Sequence, residues 1–228
     1  MATSQTSDNE IYRVNNLNGD DPHAIWRSLT LRVSQQPANI KLHTQRLLFA
    51  LENGFSDYVS GALQDLFICL KQKGLPLRQC MFNLISPVIG QTERAYFQRW
   101  LADNSDQHLD CYRYPGSVFA SETCRPVEGN HSDGLSLLNR PVFKSQLEEA
   151  RYNLEIGQIV KAQALLENKC LKEDNDGELT RELQNLYICT KSEDAVTRFT
   201  QRLMENGKPL SESWQNLLNT AKDSESNN

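Results

Sequence analysis

The sequence predicts an all-α protein of paired helices, arranged in two lobes about a long irregular connector. Three observations carry this. Apolar residues recur at spacings of three and four along most of the chain, and no segment alternates with a period of two. Gly, Asn-Gly and Pro interrupt those stripes at helix-sized intervals. Helix follows helix in pairs of roughly 30–40 residues, the period of helical repeat proteins.

Residues 1–19 show no periodicity and are expected to form a tail. Asp21-Pro22 opens the first helix, a capping carboxylate followed by a Pro suited to the first turn. Ile25, Trp26, Leu29 and Val33 follow, and Pro37 ends the run. Ile40, Leu47, Leu48 and Leu51 mark a second helix, stopped by Asn53-Gly54. Ser56 is expected to cap a third, with Val59, Ala62, Leu63, Leu66 and Leu70 on its buried stripe. Beyond Lys73-Gly74, Pro76 precedes Cys80, Met81, Leu84 and Ile85. Thr92 is expected to cap a helix whose Tyr96, Phe97, Trp100 and Leu101 form two apolar pairs one turn apart. Residues 20–104 thus form the N-terminal lobe.

From Asp103 to about Arg140, Gly, Pro, Ser, Asn and Asp are dense and no stripe is visible, so 105–143 is assigned as the connector. So long a structureless stretch reads as a linker or a functional loop. Helices resume near Ser145. Leu147, Ala150, Leu154 and Ile156 end at Gly157. Ile159, Ala162, Leu165, Leu166 and Cys170 form the next stripe, and a turn at Asp174 to Gly177 follows. Leu179, Leu183, Leu186 and Tyr187, then Ala195, Val196, Phe199 and Leu203, lead to Asn206-Gly207. Ser211 is expected to cap a last helix carrying Trp214, Leu217, Leu218 and Ala221. The C-terminal lobe is 144–222 and a second tail is 223–228.

Composition narrows the function. Lys plus Arg number 24 and Asp plus Glu 29 in 228 residues, a net charge of −5, with no basic patch of the kind that phosphate binding needs. Nucleic acid is therefore not an expected partner. No apolar run approaches the ~18–20 residues of a membrane span, and Met1 to Asn9 has no apolar signal core. Six cysteines are scattered without framework spacing, and Cys69, Cys170 and Cys189 sit in apolar helical patterns, as reduced thiols do. The expected setting is cytoplasmic.

Two segments recur. Leu63 to Lys71 matches Leu183 to Lys191 at six of nine positions (Leu, Gln, Leu, Ile, Cys and Lys). Gly74-Leu75-Pro76-Leu77 with Asn83-Leu84 matches Gly207-Lys208-Pro209-Leu210 with Asn216-Leu217. The offsets, 120 and 133, differ, so the expectation is related helix-turn-helix units in both lobes rather than one uninterrupted duplication. In the second lobe, Ile156-Gly157, Ala162 and Leu166 resemble the tetratricopeptide pattern, and Ala195 and Phe199 repeat its last two features 33 residues on. A small Ala suits a close helix crossing, and the bulky residue one turn later fills the space beside it. Asn153, Lys169 and Thr190 depart from the pattern, so the family's peptide-binding residues do not carry over. The order from Leu147 to Ala221 also resembles the C-terminal helical region of FimV/HubP-type bacterial proteins: a tetratricopeptide-like unit, Leu183 to Tyr187, Ala195 and Phe199, then a helix with Trp214. The resemblance implies a bacterial scaffold acting through protein contacts.

Chemistry has few candidates. His108, Cys111, Cys124 and His131 in the connector are the residue types zinc takes, but only one end has knuckle spacing. No Ser lies in a Gly-x-Ser-x-Gly elbow, no Gly-rich loop could cradle a phosphate, and Cys69 and Cys189 sit beside Ile, where a thiolate is disfavoured. His23 and His43 are expected at the surface or at a helix contact. Glu148-Glu149 and Glu193-Asp194 are adjacent on helices and point to different faces. Tyr112, Tyr114 and Phe119 either tack the connector to the body or mark a contact patch. No catalytic residue and no cofactor are expected. The expectation is a protein-binding adaptor, with a connector-based enzyme or metal protein, or a self-associating subunit, as alternatives.

Overall fold

A computed structural model describes residues 21–103, 112–120, 125–126, 141–173 and 177–225. Among them are ten helices: α1 (Pro22–Gln35), α2 (Ile40–Glu52), α3 (Ser56–Leu70), α4 (Leu75–Ile85), α5 (Gln91–Asp103), α6 (Gln146–Glu155), α7 (Ile159–Lys172), α8 (Gly177–Thr190), α9 (Glu193–Glu205) and α10 (Glu212–Glu225). The only extended pairing among the described residues is a two-residue parallel contact of Tyr112–Arg113 with Arg125–Pro126. The chain is therefore all-α. No helix among the described residues is long and apolar enough to cross a membrane.

Local chemistry sets the helix ends. Asp21 accepts from the His23 amide at 3.0 Å and so caps α1. Asn39, rather than a residue of the apolar stripe, caps α2 through the Leu42 amide. Ser56 does not cap α3; it is the first helical residue, and Phe55 stands at the cap position without a side-chain bond. Thr92 likewise lies inside α5, where Glu93 reaches back to the Gly90 amide at 2.6 Å. Ser145 caps α6 in a reciprocal arrangement: its hydroxyl takes the Glu148 amide and Glu148 takes the Lys144 amide.

The described residues form two compact units. One holds those up to Pro141 together with Leu154–Gly157; the other holds Val142–Asn153 and those from Gln158 onward. The first unit's core gathers Trp26, Leu47, Val59, Leu63, Leu66, Phe67, Phe82, Ile85, Phe97, Trp100 and Tyr114. Two expected stripes are rotated. Ile40, Leu48 and Leu84 are exposed, because the inner faces of α2 and α4 are built with buried His43, Arg46 and Arg78. In the second unit Ala162, Leu166, Leu183, Leu186, Tyr187, Ala195 and Phe199 are buried, and the Trp214 ring packs tilted against Phe199, centroids 5.2 Å apart.

The two helix series keep one spacing. The ends of α1 to α4 (Gln35, Glu52, Leu70 and Ile85) lie 120 residues before the ends of α6 to α9 (Glu155, Lys172, Thr190 and Glu205). Buried positions follow the same offset: Leu42 with Ala162, Arg46 with Leu166, Ala50 with Cys170, Val59 with Leu179, and Phe67 with Tyr187. Lys71 and Lys191, each just past the end of its helix, have φ of 50° and 48°, the only positive values at non-Gly residues among those described. The 120-residue match thus extends over four helices. The 133-residue match does not join equivalent places: Gly74 precedes α4, whereas Gly207 follows α9. Both sites need a left-handed residue, φ 68° and 72°, next to a helix end, which is why their sequences look alike.

Candidate functional site

The residues of the predicted metal site, His108, Cys111, Cys124 and His131, lie outside the described residues. Among the described residues no group of three or more His, Cys, Asp or Glu could hold a metal ion. Cys69 and Cys80 are free thiols. Burial, aided by nearby Asp65, pushes the Cys69 thiol up, away from a reactive thiolate.

The connector aromatics are placed differently from one another. Tyr114 is buried against Tyr96 and Phe97, and burial, with Glu93 nearby, raises its hydroxyl far above the ordinary range. Tyr112 is 43% exposed, its ring edge on Tyr96. Phe119 is partly buried beside His43, ring centroids 5.9 Å apart. Tyr112 to Ala120 lies along α3, and the polar residues of that helix hold it by its backbone. Gln64 donates to Tyr112 O at 2.6 Å and accepts from Tyr114 N at 3.2 Å. Asp65 accepts from the Ser117 hydroxyl at 2.7 Å and from the amides of Val118 and Phe119 at about 3.0 Å. Gly61 makes the approach possible: a Cβ there would land on Pro115 O and Ser117 N.

Beneath this segment lies an ion pair. Arg46 Nη1 donates to Asp65 Oδ2 at 2.7 Å, both side chains almost wholly out of water. Its Nη2 donates to Gly116 O, and its guanidinium lies over the Trp26 ring at 4.4 Å. Burial lowers the Arg46 pKa, and Asp65 opposes that shift. Trp26 Nε1 donates to Glu155 O at 3.0 Å, and Glu155 accepts from Arg27 and Tyr58, each at 3.1 Å. Apart from the buried Arg46 Nε, the donors named here meet acceptors of the same chain, and the network fixes structure.

The second unit offers an open cleft of about 680 Å³. Leu179, Leu203 and Trp214 supply apolar lining, and Thr180, Arg181, Gln184, Lys208, Ser211 and Ser213 supply polar groups. The ends of α7 and α9 and the beginnings of α8 and α10 bring these residues together. Arg181 Nε donates to Gly177 O at 3.0 Å, tethering the guanidinium beside the cleft. Lys208 Nζ donates to the carbonyls of Cys170 and Glu173 at 3.2 and 2.7 Å, the last-turn position that favours a cation. Gln184 Nε2 donates to Ser213 Oγ at 3.0 Å. Among the described residues the lining holds no His and one carboxylate, Glu173.

Sequence reading passed over Arg46, Asp65, Arg181 and Lys208. The available signal was Gln64-Asp65 set within the apolar run from Val59 to Leu70. Charged or amide residues at positions that face a core imply something for them to hold.

No family model matches the chain, and neither a curated protein nor a solved structure matches it.

Proposed function

We propose that the chain is a non-enzymatic adaptor of a bacterial cytoplasmic assembly, a tetratricopeptide-like helical protein that holds a segment of a partner in the cleft of its second unit. The observation that carries this reading is the cleft itself: an apolar floor at Leu179, Leu203 and Trp214, rimmed by hydroxyl, amide and cationic side chains. Such a mixture gives affinity through the apolar floor and orientation through the rim. The test places a photo-crosslinking side chain at Thr180 in cells of the native host. Discrete protein adducts that Trp214→Ala abolishes support the adaptor. Adducts to nucleic acid or a small metabolite alone, or no adduct, count against it.

A second reading, a self-associating structural subunit, has one observation in its favour. The exposed positions of α4 (Leu75, Pro76, Gln79, Cys80, Asn83 and Leu84) carry no charge, and Val88 beyond the helix is 46% exposed. An uncharged face can meet its own copy across a two-fold axis without like-charge repulsion. Sedimentation of the wild type and of Leu84→Glu decides it: a dimer that the variant dissolves supports self-association, and a monomeric wild type removes it.

A further inference from the structure

We propose that Asn53–Gly54, at the end of α2, is a site of spontaneous conversion to isoaspartate, and that its twin Asn206–Gly207, at the end of α9, is protected from the same reaction.

The two sites share a sequence: Glu-Asn-Gly stands at 52–54 and again at 205–207. They share a backbone as well. Asn53 lies at φ −100°, ψ 9° and Asn206 at φ −85°, ψ 12°, and the glycines that follow lie at φ 73° and 72°. Each helix closes with the same motif, in which Phe55 N donates to Ala50 O at 2.9 Å and Lys208 N to Leu203 O at 3.0 Å. Both Asn and both Gly residues are exposed, and a Cβ on either glycine would meet nothing within 4 Å, so water reaches both sites.

Asn before Gly is chemically vulnerable, because no side chain on the glycine keeps its amide nitrogen from the Asn Cγ. Hydroxide takes the Gly54 N–H proton, and the nitrogen attacks Cγ of Asn53. The N–Cγ bond forms and the Cγ–Nδ2 bond breaks. Nδ2 leaves as ammonia after taking a proton from water, which regenerates the hydroxide. Water then opens the five-membered imide. Cleavage between the Gly nitrogen and Cγ yields Asp; cleavage between that nitrogen and the Asn main-chain carbonyl carbon yields isoaspartate, whose chain runs through Cβ and Cγ. No oxidant or reductant takes part.

Ring closure requires the Gly nitrogen to swing toward Cβ, and a ψ near 0° holds it away. The reaction therefore passes through the opened turn, and here the twins part. Gly54 N reaches Leu51 O at 3.4 Å, beyond the usual N–H···O range, whereas Gly207 N reaches Met204 O at 2.9 Å. The side-chain amides follow suit: Asn53 Nδ2 donates to Phe49 O at 2.9 Å and Asn206 Nδ2 to Arg202 O at 2.7 Å. Attacking nitrogen and leaving group are both held more loosely at α2. The product changes the turn, because a carboxylate replaces a donor at the carbonyl end of α2, where negative charge is disfavoured, and isoaspartate adds one backbone carbon before α3.

The experiment incubates the full chain at pH 8 and follows its tryptic peptides by mass spectrometry. Residues 47–71 report Asn53 and residues 203–222 report Asn206. The 47–71 peptide is expected to gain one dalton at Asn53 about 3-fold faster than 203–222 gains it at Asn206, and to become a substrate for isoaspartyl methyltransferase. In urea the two rates should converge, since the shared tripeptide then has no fold to distinguish it. Gly54→Ala should suppress the gain in 47–71 alone. Equal rates in the folded chain, a faster Asn206, a gain at Asn53 that survives Gly54→Ala, or a difference that persists in urea overturns the proposal.

Discussion

Arg46 and Asp65 form an ion pair of 2.7 Å in the core of the first unit, and the positions 120 residues later hold Leu166 and Asn185. One architecture therefore accepts either an ion pair or an apolar–amide pair at this place. Removing one partner of a buried pair strands the other, at a cost of about 3–5 kcal/mol. Arg46→Leu should show a loss of that size in urea unfolding followed by Trp fluorescence. Arg46→Leu with Asp65→Asn, the combination of the second unit, should recover part of it. A double variant no more stable than the single one would show that the value of Asp65 lies in its amide and hydroxyl bonds alone.

Gly61 permits the close passage of residues 115–117, because any Cβ there meets backbone atoms that cannot swing away. Gly61→Ala should destabilise by ~1–3 kcal/mol or more and should loosen Tyr112–Ala120 from α3. Gly54→Ala is the control. Its Cβ would meet nothing within 4 Å, so only the cost of φ +73° remains, about 1 kcal/mol. Limited proteolysis should cut Gly61→Ala within 112–120 and leave the control intact. Equal protection of both would contradict this.

His43 makes the first unit sensitive to acid. Its Nε2 donates to Pro37 O at 2.9 Å, and its buried Nδ1 has no hydrogen-bond partner. Burial lowers its pKa below the ordinary 6.5, assisted by Arg46 and opposed by the Pro37 bond and Asp65. A folded-state pKa below the unfolded one means that the stabilisation is complete above pH 6.5 and is lost as pH falls through the folded value. Position 163, one spacing later, is Gln. His43→Gln should flatten the fall in Tm between pH 8 and pH 5, although Tm at pH 8 drops slightly. A pH profile parallel to that of the wild type would place the acid sensitivity elsewhere.

How far the fold was legible depended on which residues face inward. The stripes of α3 and α9 are apolar, and Val59, Leu63, Leu66, Phe199 and Leu203 are buried as their spacing predicts. On α2 and α4 the inward positions include His43, Arg46 and Arg78, so a hydropathy pattern rotates those helices toward Leu48 and Leu84. The repeat was partly visible because Leu63 to Lys71 forms the end of one helix and Leu183 to Lys191 the end of its counterpart. Over the remaining helices the correspondence is one of burial, such as Arg46 with Leu166, and residue identity does not report it. The cleft was illegible for a different reason. Arg181 and Lys208 stand on separate segments, and only the meeting of four helix ends makes them neighbours of Trp214.

The two left-handed lysines are the final consequence of the repeat. Lys71 lies at φ 50°, ψ −131°, a region that glycine enters at little cost and a side chain does not. Lys191 lies at φ 48° after the equivalent helix. Each position costs about 1–3 kcal/mol with a side chain, and replacing Lys by Gly returns part of that while loosening the unfolded chain by about 0.4–1 kcal/mol. Lys71→Gly should therefore raise the unfolding free energy in urea by a net ~1 kcal/mol, and Lys191→Gly, at φ 48°, should act in the same direction. The two should add in the double variant, since the substitutions lie in separate units. A Lys71→Gly protein less stable than the wild type would mean that packing of the Lys71 stem outweighs the backbone strain.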